Sequence, residues 1–205
     1  HRYLTDDQTS LWRVEEFEGV RLGAQIYRGL VAGAAKPGDS IKNSDYGAMW
    51  MLARITGDPK LREDRLPYAR NFKLKQVQGE PGFFQGAAVG QYYLPSSGRF
   101  AEEWGDYVEP VALTYYALLD LGNILLFEPG DAEARTRFTL AAERLLAWQK
   151  TDGRWEVGYR RHDERPVFTD LNDYRPTFYG LLVAYRILGD ARYLAAARKG
   201  ADWLV

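Results

Sequence analysis

The sequence predicts an all-α chain of helical hairpins arranged in two layers. Three observations predict it. Segments apolar on almost every side alternate with segments that carry one apolar stripe and a charged back. A helix apolar all round is buried all round, whereas a striped one faces solvent. The junctions after two of the apolar segments read Gly57-Asp58 and Gly189-Asp190, with Gly supplying the left-handed residue that ends a helix. The pattern also repeats internally. At an offset of 67 residues, Asp106-Tyr107 meets Asp173-Tyr174, Ala117 meets Ala184, Leu121 meets Leu188 and Gly122 meets Gly189. Separately, Ala53-Arg54-Ile55-Thr56-Gly57-Asp58 resembles Tyr185-Arg186-Ile187-Leu188-Gly189-Asp190. Fixed-period self-similarity of this kind marks a repeat architecture.

In order along the chain, residues 1–7 are polar and loose. Leu11, Trp12, Val14, Phe17, Val20, Leu22, Ile26 and Leu30 then recur at helical spacing, interrupted by Gly19 and Gly23. Residues 32–39 form a Gly- and Pro-containing loop. Ser44 or Asp45 caps a helix through Tyr46, Met49, Trp50 and Ile55, which ends at Gly57-Asp58-Pro59. A more polar helix runs from about Pro59 to Val77, with a break at Pro67, and Gln78–Phe84 is a turn. Signals over 83–100 are mixed. Asp106-Tyr107 opens the next apolar helix, with Pro110 in its first turn and its body from Val111 to Leu126. Glu128-Pro129-Gly130-Asp131 ends that helix, and an amphipathic helix spans Asp131–Lys150. Trp148-Gln149, Asp152-Gly153 and Trp155 make a return in which Gly turns tightly and the aromatic packs back on the layer beneath. Gln91, Gly98 and Phe100 form a weaker version. Residues 156–171 are irregular. Asp173-Tyr174-Arg175 starts an apolar helix that ends at Gly189, and an amphipathic helix follows from Ala191.

Inner helices walled by outer ones resemble the α/α toroid. The run Ala191–Leu204 resembles the outer helix of six-hairpin glycosidases and toroidal polysaccharide lyases. The resemblance extends over most of 43–205 and implies a single α/α-toroid domain over 1–205. A closed toroid of six hairpins has twelve helices, and the sequence shows seven or eight. An incomplete toroid, or part of a larger chain, is therefore expected.

Composition bounds the chemistry. A net charge of −1 argues against nucleic acid and anionic membrane partners. Cysteine is absent, which excludes thiol catalysis and Cys-ligated zinc. With His1 and His162 as the two histidines, a multi-histidine metal site is not expected, and no cofactor is implied. The missing metal ligands also weigh against toroidal prenyltransferases and lanthionine cyclases. No apolar run reaches the ~20 residues of a membrane span. Fourteen Tyr and six Trp are enough to build either a Tyr-rich core or a surface that stacks on sugar rings. Because the chain opens on His1 rather than Met, it is compatible with a removed leader. A polysaccharide substrate would favour a secreted or periplasmic location.

In a toroid the inner helices run in one direction, so Asp45-Tyr46, Asp106-Tyr107 and Asp173-Tyr174 would gather at one end. Helix N-termini favour anions, and paired carboxylates cleave glycosidic bonds. The sequence therefore predicts a glycoside hydrolase acting on an oligo- or polysaccharide. Asp106 and Asp173 would be the acid–base pair, with Asp45 a third candidate. Trp104, Tyr46, Tyr107, Tyr174, Arg175, Trp155 and His162 would contact substrate. An Asp at a helix start is by preference an N-cap, and a Tyr beside it can be core with a satisfied hydroxyl. The alternative chemistry is β-elimination on a uronate, with Tyr174, Tyr107 or His162 as base and Arg175 or Asn172 neutralising the carboxylate. A helical-hairpin domain that binds a glycan or a protein without catalysis is the third possibility.

Overall fold

The computed structural model describes residues 46–59, 61–88, 92–94, 99–101, 107–108, 110–160, 163–172 and 177–204. The helical pattern expected within 9–31 lies outside them. The described chain is mostly helical and divides into two compact units.

The first unit holds α1 (Tyr46–Thr56), a π-helical segment (Leu61–Arg65), α2 (Leu66–Gln76) and a hairpin of β1 (Tyr92–Leu94) with β2 (Arg99–Ala101). Gly57 ends α1 at φ +66°, and its N–H donates to the Ala53 carbonyl at 3.0 Å. This is the left-handed stop that the sequence predicts. The expected break near Pro67 is the change from π- to α-geometry at 65/66. Pro67 is the second residue of α2, directly after the π-helical segment. Tyr46, Leu61, Ala69 and Leu74 are buried here. The mixed signals of 83–100 resolve in part into the β1–β2 pairing, Tyr93 opposite Phe100.

The second unit contains a loop over 77–88, β3 (Tyr107–Val108), α3 (Pro110–Phe127), α4 (Ala132–Trp148), β4 (Glu156–Arg160), β5 (Pro166–Asn172), α5 (Thr177–Leu188) and α6 (Ala191–Trp203). The apolar helices α3 and α5 begin at Pro110 and Thr177, again 67 residues apart. They lie side by side and run in the same direction. Tyr115 and Leu118 of α3 cover Gly180 near the start of α5, while Val183 and Ile187 cover Gly122 further along α3. Helix α4 runs back against both, with Phe138 at Gly122 and Leu145 at Gly180. Each glycine lets another helix approach to contact distance. Side-chain oxygens of Asp131 and Asp190 cap α4 and α6, accepting from the N–H groups of Ala134 and Arg192 at 3.0 and 2.8 Å.

Gly122 aligns with Gly189 but lies inside α3, which runs to Phe127 and ends at 128–131 as the sequence predicts; packing rather than turn geometry explains this glycine. Gly189 is a stop, at φ +78° with its N–H on the Tyr185 carbonyl. Two expectations need correction here. First, α5 is not buried on every side. Thr177, Gly180, Leu181 and Ala184 are buried, and Tyr179 is half exposed. By contrast α3, long and apolar enough on length and composition alone to cross a membrane, has 61% of that span buried in packing. Second, 156–171 is not irregular. Its described residues pair as β4 and β5, with Glu164 at φ +60° between them, and β3 adds on the other side of β4.

The loops that follow α2 and α4 use one device twice. Gln149 donates from Nε2 to the carbonyls of Gly153 (2.9 Å) and Ala196 (2.8 Å), tying the return to α6. Gly153, at φ +102°, presses on the backbone of Lys199. Trp155 lies over Gly200 and donates its indole N–H to the Leu145 carbonyl at 2.8 Å. In the loop over 77–88, Gly86, at φ +82°, presses on the backbone of Leu140. Arg137 donates to the Val77 carbonyl at 3.0 Å. Leu140 and Lys199 are each nine residues beyond their helix caps, and Arg137 and Ala196 each six. The counterpart of the Gln149 return is therefore 77–88. The Gln91, Gly98 and Phe100 run is not that counterpart: Phe100 stands in β2, and the other two lie outside the described residues.

Candidate functional site

Parallel α3 and α5 present their N-termini at the same end of the second unit. Because α4 runs antiparallel to them, its C-terminal turns share that end. Strands β3 and β5, which precede α3 and α5 in the chain, flank β4 there. Tyr107 pairs with Arg160 and Asn172 with Glu156.

An aromatic layer lies beneath the sheet. The Tyr159 ring stacks on Trp148 with centroids 5.3 Å apart, and Phe83 meets both rings at 5.0 and 5.5 Å. Phe84 adds an edge contact to Trp148. Arg144, one turn before Trp148, lies 5.4 Å over the indole. It donates to the carbonyls of Gln85 and Gly82 and so holds the aromatic loop against α4. Burial lowers the Arg144 pKa, and nearby Glu164 and Tyr159 oppose that shift. Tyr159 is pushed up to about 12, first by burial and then by the negative charge of Glu156. Glu156 is nearly enclosed and pairs with Lys150 at 3.1 Å. Ala88 completes the anchorage by donating its N–H to the buried Thr114 hydroxyl in the first turns of α3, at 2.8 Å.

The chemistry of this layer follows from its pairings. Arg144 is engaged by carbonyls and an indole, Glu156 by Lys150, and Tyr159 is held neutral. These groups make a rigid floor under the helix N-termini rather than a set of free acids and bases. Among the described residues, no three His, Asp or Glu come together to hold a metal ion. One polar atom stands apart: the buried Trp148 N–H finds no acceptor among the described residues.

The sequence-predicted residues fall as follows. Asp45, Trp104, Asp106, His162, Asp173, Tyr174 and Arg175 lie outside the described residues. Tyr46 is the first residue of α1 and is 4% exposed, so it is part of the core of the first unit. Tyr107 does not open a helix. It stands in β3, and the helix begins at Pro110, whose fixed φ suits a first helical position. Trp155 is not a stacking platform, because it is buried, its ring lies against Gly200 and Leu145 takes its N–H. The sequence reading missed Phe83, Arg144, Glu156 and Tyr159. The available signals were the Phe83-Phe84 pair inside a Gly-rich turn, and Arg144 and Trp148 one turn apart on an otherwise apolar face.

No protein-family model matches the chain, and no curated protein matches it.

Proposed function

We propose that the chain is a carbohydrate-active domain of the α/α-toroid kind, acting on glycosidic bonds at the end where the N-termini of α3 and α5 meet the β3–β4–β5 sheet. One observation carries this reading: β4 joins the two strands that lead into the parallel inner helices, Tyr107 on one side and Asn172 on the other. Asp106 and Asp173 are their sequence neighbours and serve as the carboxylate pair. The aromatic floor beneath offers stiff, preorganised support for such a cleft.

The test is reducing-end release from a panel of neutral and uronate-containing oligosaccharides, with Asp106→Asn and Asp173→Asn measured singly. Loss of cleavage in both variants, with thermal unfolding unchanged, is expected. Near-wild-type cleavage in both removes these residues from the reaction. An ultraviolet-absorbing unsaturated product on uronates assigns β-elimination instead. Glycan binding without turnover assigns the non-catalytic role.

A further inference from the structure

The return after α4 holds a bond with chemistry of its own. Asp152-Gly153 is the one Asp-Gly pair in the 205 residues, and the sequence has no Asn-Gly pair. An aspartyl carboxyl followed by glycine is open to attack by the next main-chain nitrogen, because glycine puts no side chain in the way. The Gly153 nitrogen bonds to Asp152 Cγ and a carboxyl oxygen leaves as water, giving a five-membered succinimide. Water then opens the ring. Opening at the α-carbonyl leaves Gly153 attached through Cγ. The product is an isoaspartate of unchanged mass whose main chain is one carbon longer.

The folded return keeps the two reacting groups apart. Both carboxylate oxygens of Asp152 are turned to Arg154: Oδ1 accepts its main-chain N–H at 3.2 Å and Oδ2 pairs with Nε at 3.0 Å. The Gly153 N–H is directed elsewhere, to the Lys150 carbonyl at 3.0 Å. The Lys150 N–H donates to the Arg154 carbonyl at 2.8 Å and closes the turn around them. Gly153 is buried, and its carbonyl accepts from Gln149. Attack therefore needs the turn to open locally.

The same packing leaves no place for the product. The Lys199 backbone lies directly against Gly153, with no room even for a β-carbon. A longer main chain at this point displaces Gly153 from α6, and with it the Gln149 bonds to Gly153 and Ala196.

We infer that Asp152-Gly153 is a latent modification site: the fold guards it, and isoaspartate formed while the turn is open unfastens the return from α6. Chains that open the turn then accumulate a lesion that refolding does not reverse. This inference does not depend on the carbohydrate reading.

The experiment ages the whole chain at neutral pH with and without guanidinium chloride. Isoaspartate is read by enzymatic methylation and located by peptide mass spectrometry. It is expected to form at position 152 at least about tenfold faster in denaturant, where the bonds to Lys150 and Arg154 are lost. Arg154→Gln, shown to be folded by circular dichroism, is expected to age about two- to fivefold faster than wild type without denaturant, the worth of one exposed ion pair. Asp152→Glu is expected to lose the signal. The modified chain, separated by reversed-phase chromatography and returned to native buffer, is expected to unfold at a lower urea concentration than the unmodified one. Equal ageing with and without denaturant, a folded Arg154→Gln that ages like wild type, a signal that persists in Asp152→Glu, or equal urea midpoints for the two chains overturns the inference.

Discussion

Gly153 lies so close over Lys199 that a side-chain carbon on it would stand 2.9 Å from the Lys199 carbonyl carbon, and closer still to the oxygen. Its φ of +102° already excludes most other residues. Gly86 repeats the arrangement, with the Leu140 carbonyl carbon at 2.7 Å, whereas Gly189 has a positive φ and open space around it. The three glycines therefore separate backbone strain from collision. Gly189→Ala is expected to cost about 1–2 kcal/mol, the strain of a left-handed residue. Gly153→Ala and Gly86→Ala should cost about 3–4 kcal/mol, because overpacking against backbone adds to that strain. Urea unfolding of the three variants side by side checks the order.

Trp148 and Trp155 are both buried, but they differ in their N–H. Trp155 donates to Leu145, and Trp148 has no acceptor among the described residues. Trp155→Phe loses a hydrogen bond and leaves a void, together about 2–3 kcal/mol. Trp148→Phe leaves a similar void but removes an unsatisfied donor, so its net effect is within about 1 kcal/mol. Denaturant midpoints of the two variants should differ clearly; equal losses would show that the Trp148 N–H is satisfied.

Arg144 links α4 to the carbonyls of Gly82 and Gln85 while lying on Trp148. Arg144→Met keeps the stem and removes the bonds. A stability loss of about 1–3 kcal/mol is expected, centred on the 81–86 loop. Limited proteolysis should show faster cleavage in that loop before any global unfolding.

The phenol of Tyr159 loses its proton only near pH 12 in the fold, against about 10 in an unfolded chain. Between those values the unfolded state releases a proton that the folded state keeps, so stability falls as pH rises through this window. The slope from this one group is at most about 1.4 kcal/mol per pH unit. Tyr159→Phe should flatten the alkaline loss by that amount, measured as unfolding free energy from pH 9 to 12.

Where helices begin and end was readable from local chemistry. Gly57 and Gly189 mark stops and Asp131 the start of α4, because each acts on its own backbone, whereas α3 and α5 start at Pro110 and Thr177 and not at the Asp-Tyr pairs before them. What could not be read depends on partners distant in sequence. Gly122 resembles Gly189 in its neighbours, and only the arrival of Val183 and Ile187 makes it a packing glycine. The strands β4 and β5 were masked by a bulge between Glu156 and Gly158, which breaks the period-two alternation. Of the site, the gathering of two helix N-termini was legible from the repeat. The aromatic floor was not, because Phe83, Trp148 and Tyr159 come from three separate stretches of chain.

The doubled return has a consequence for how the molecule comes apart. A loop that follows one helix is fastened to the next helix but one, as Gly153 is to Lys199 of α6 and Gly86 to Leu140 of α4. The fastening of Gly153 skips over α5, so α6 cannot melt without loosening the loop that follows α4. Coupling of this kind between neighbouring repeats makes for concerted rather than piecemeal melting. Amide protons of α4 and α6 should then exchange at similar rates.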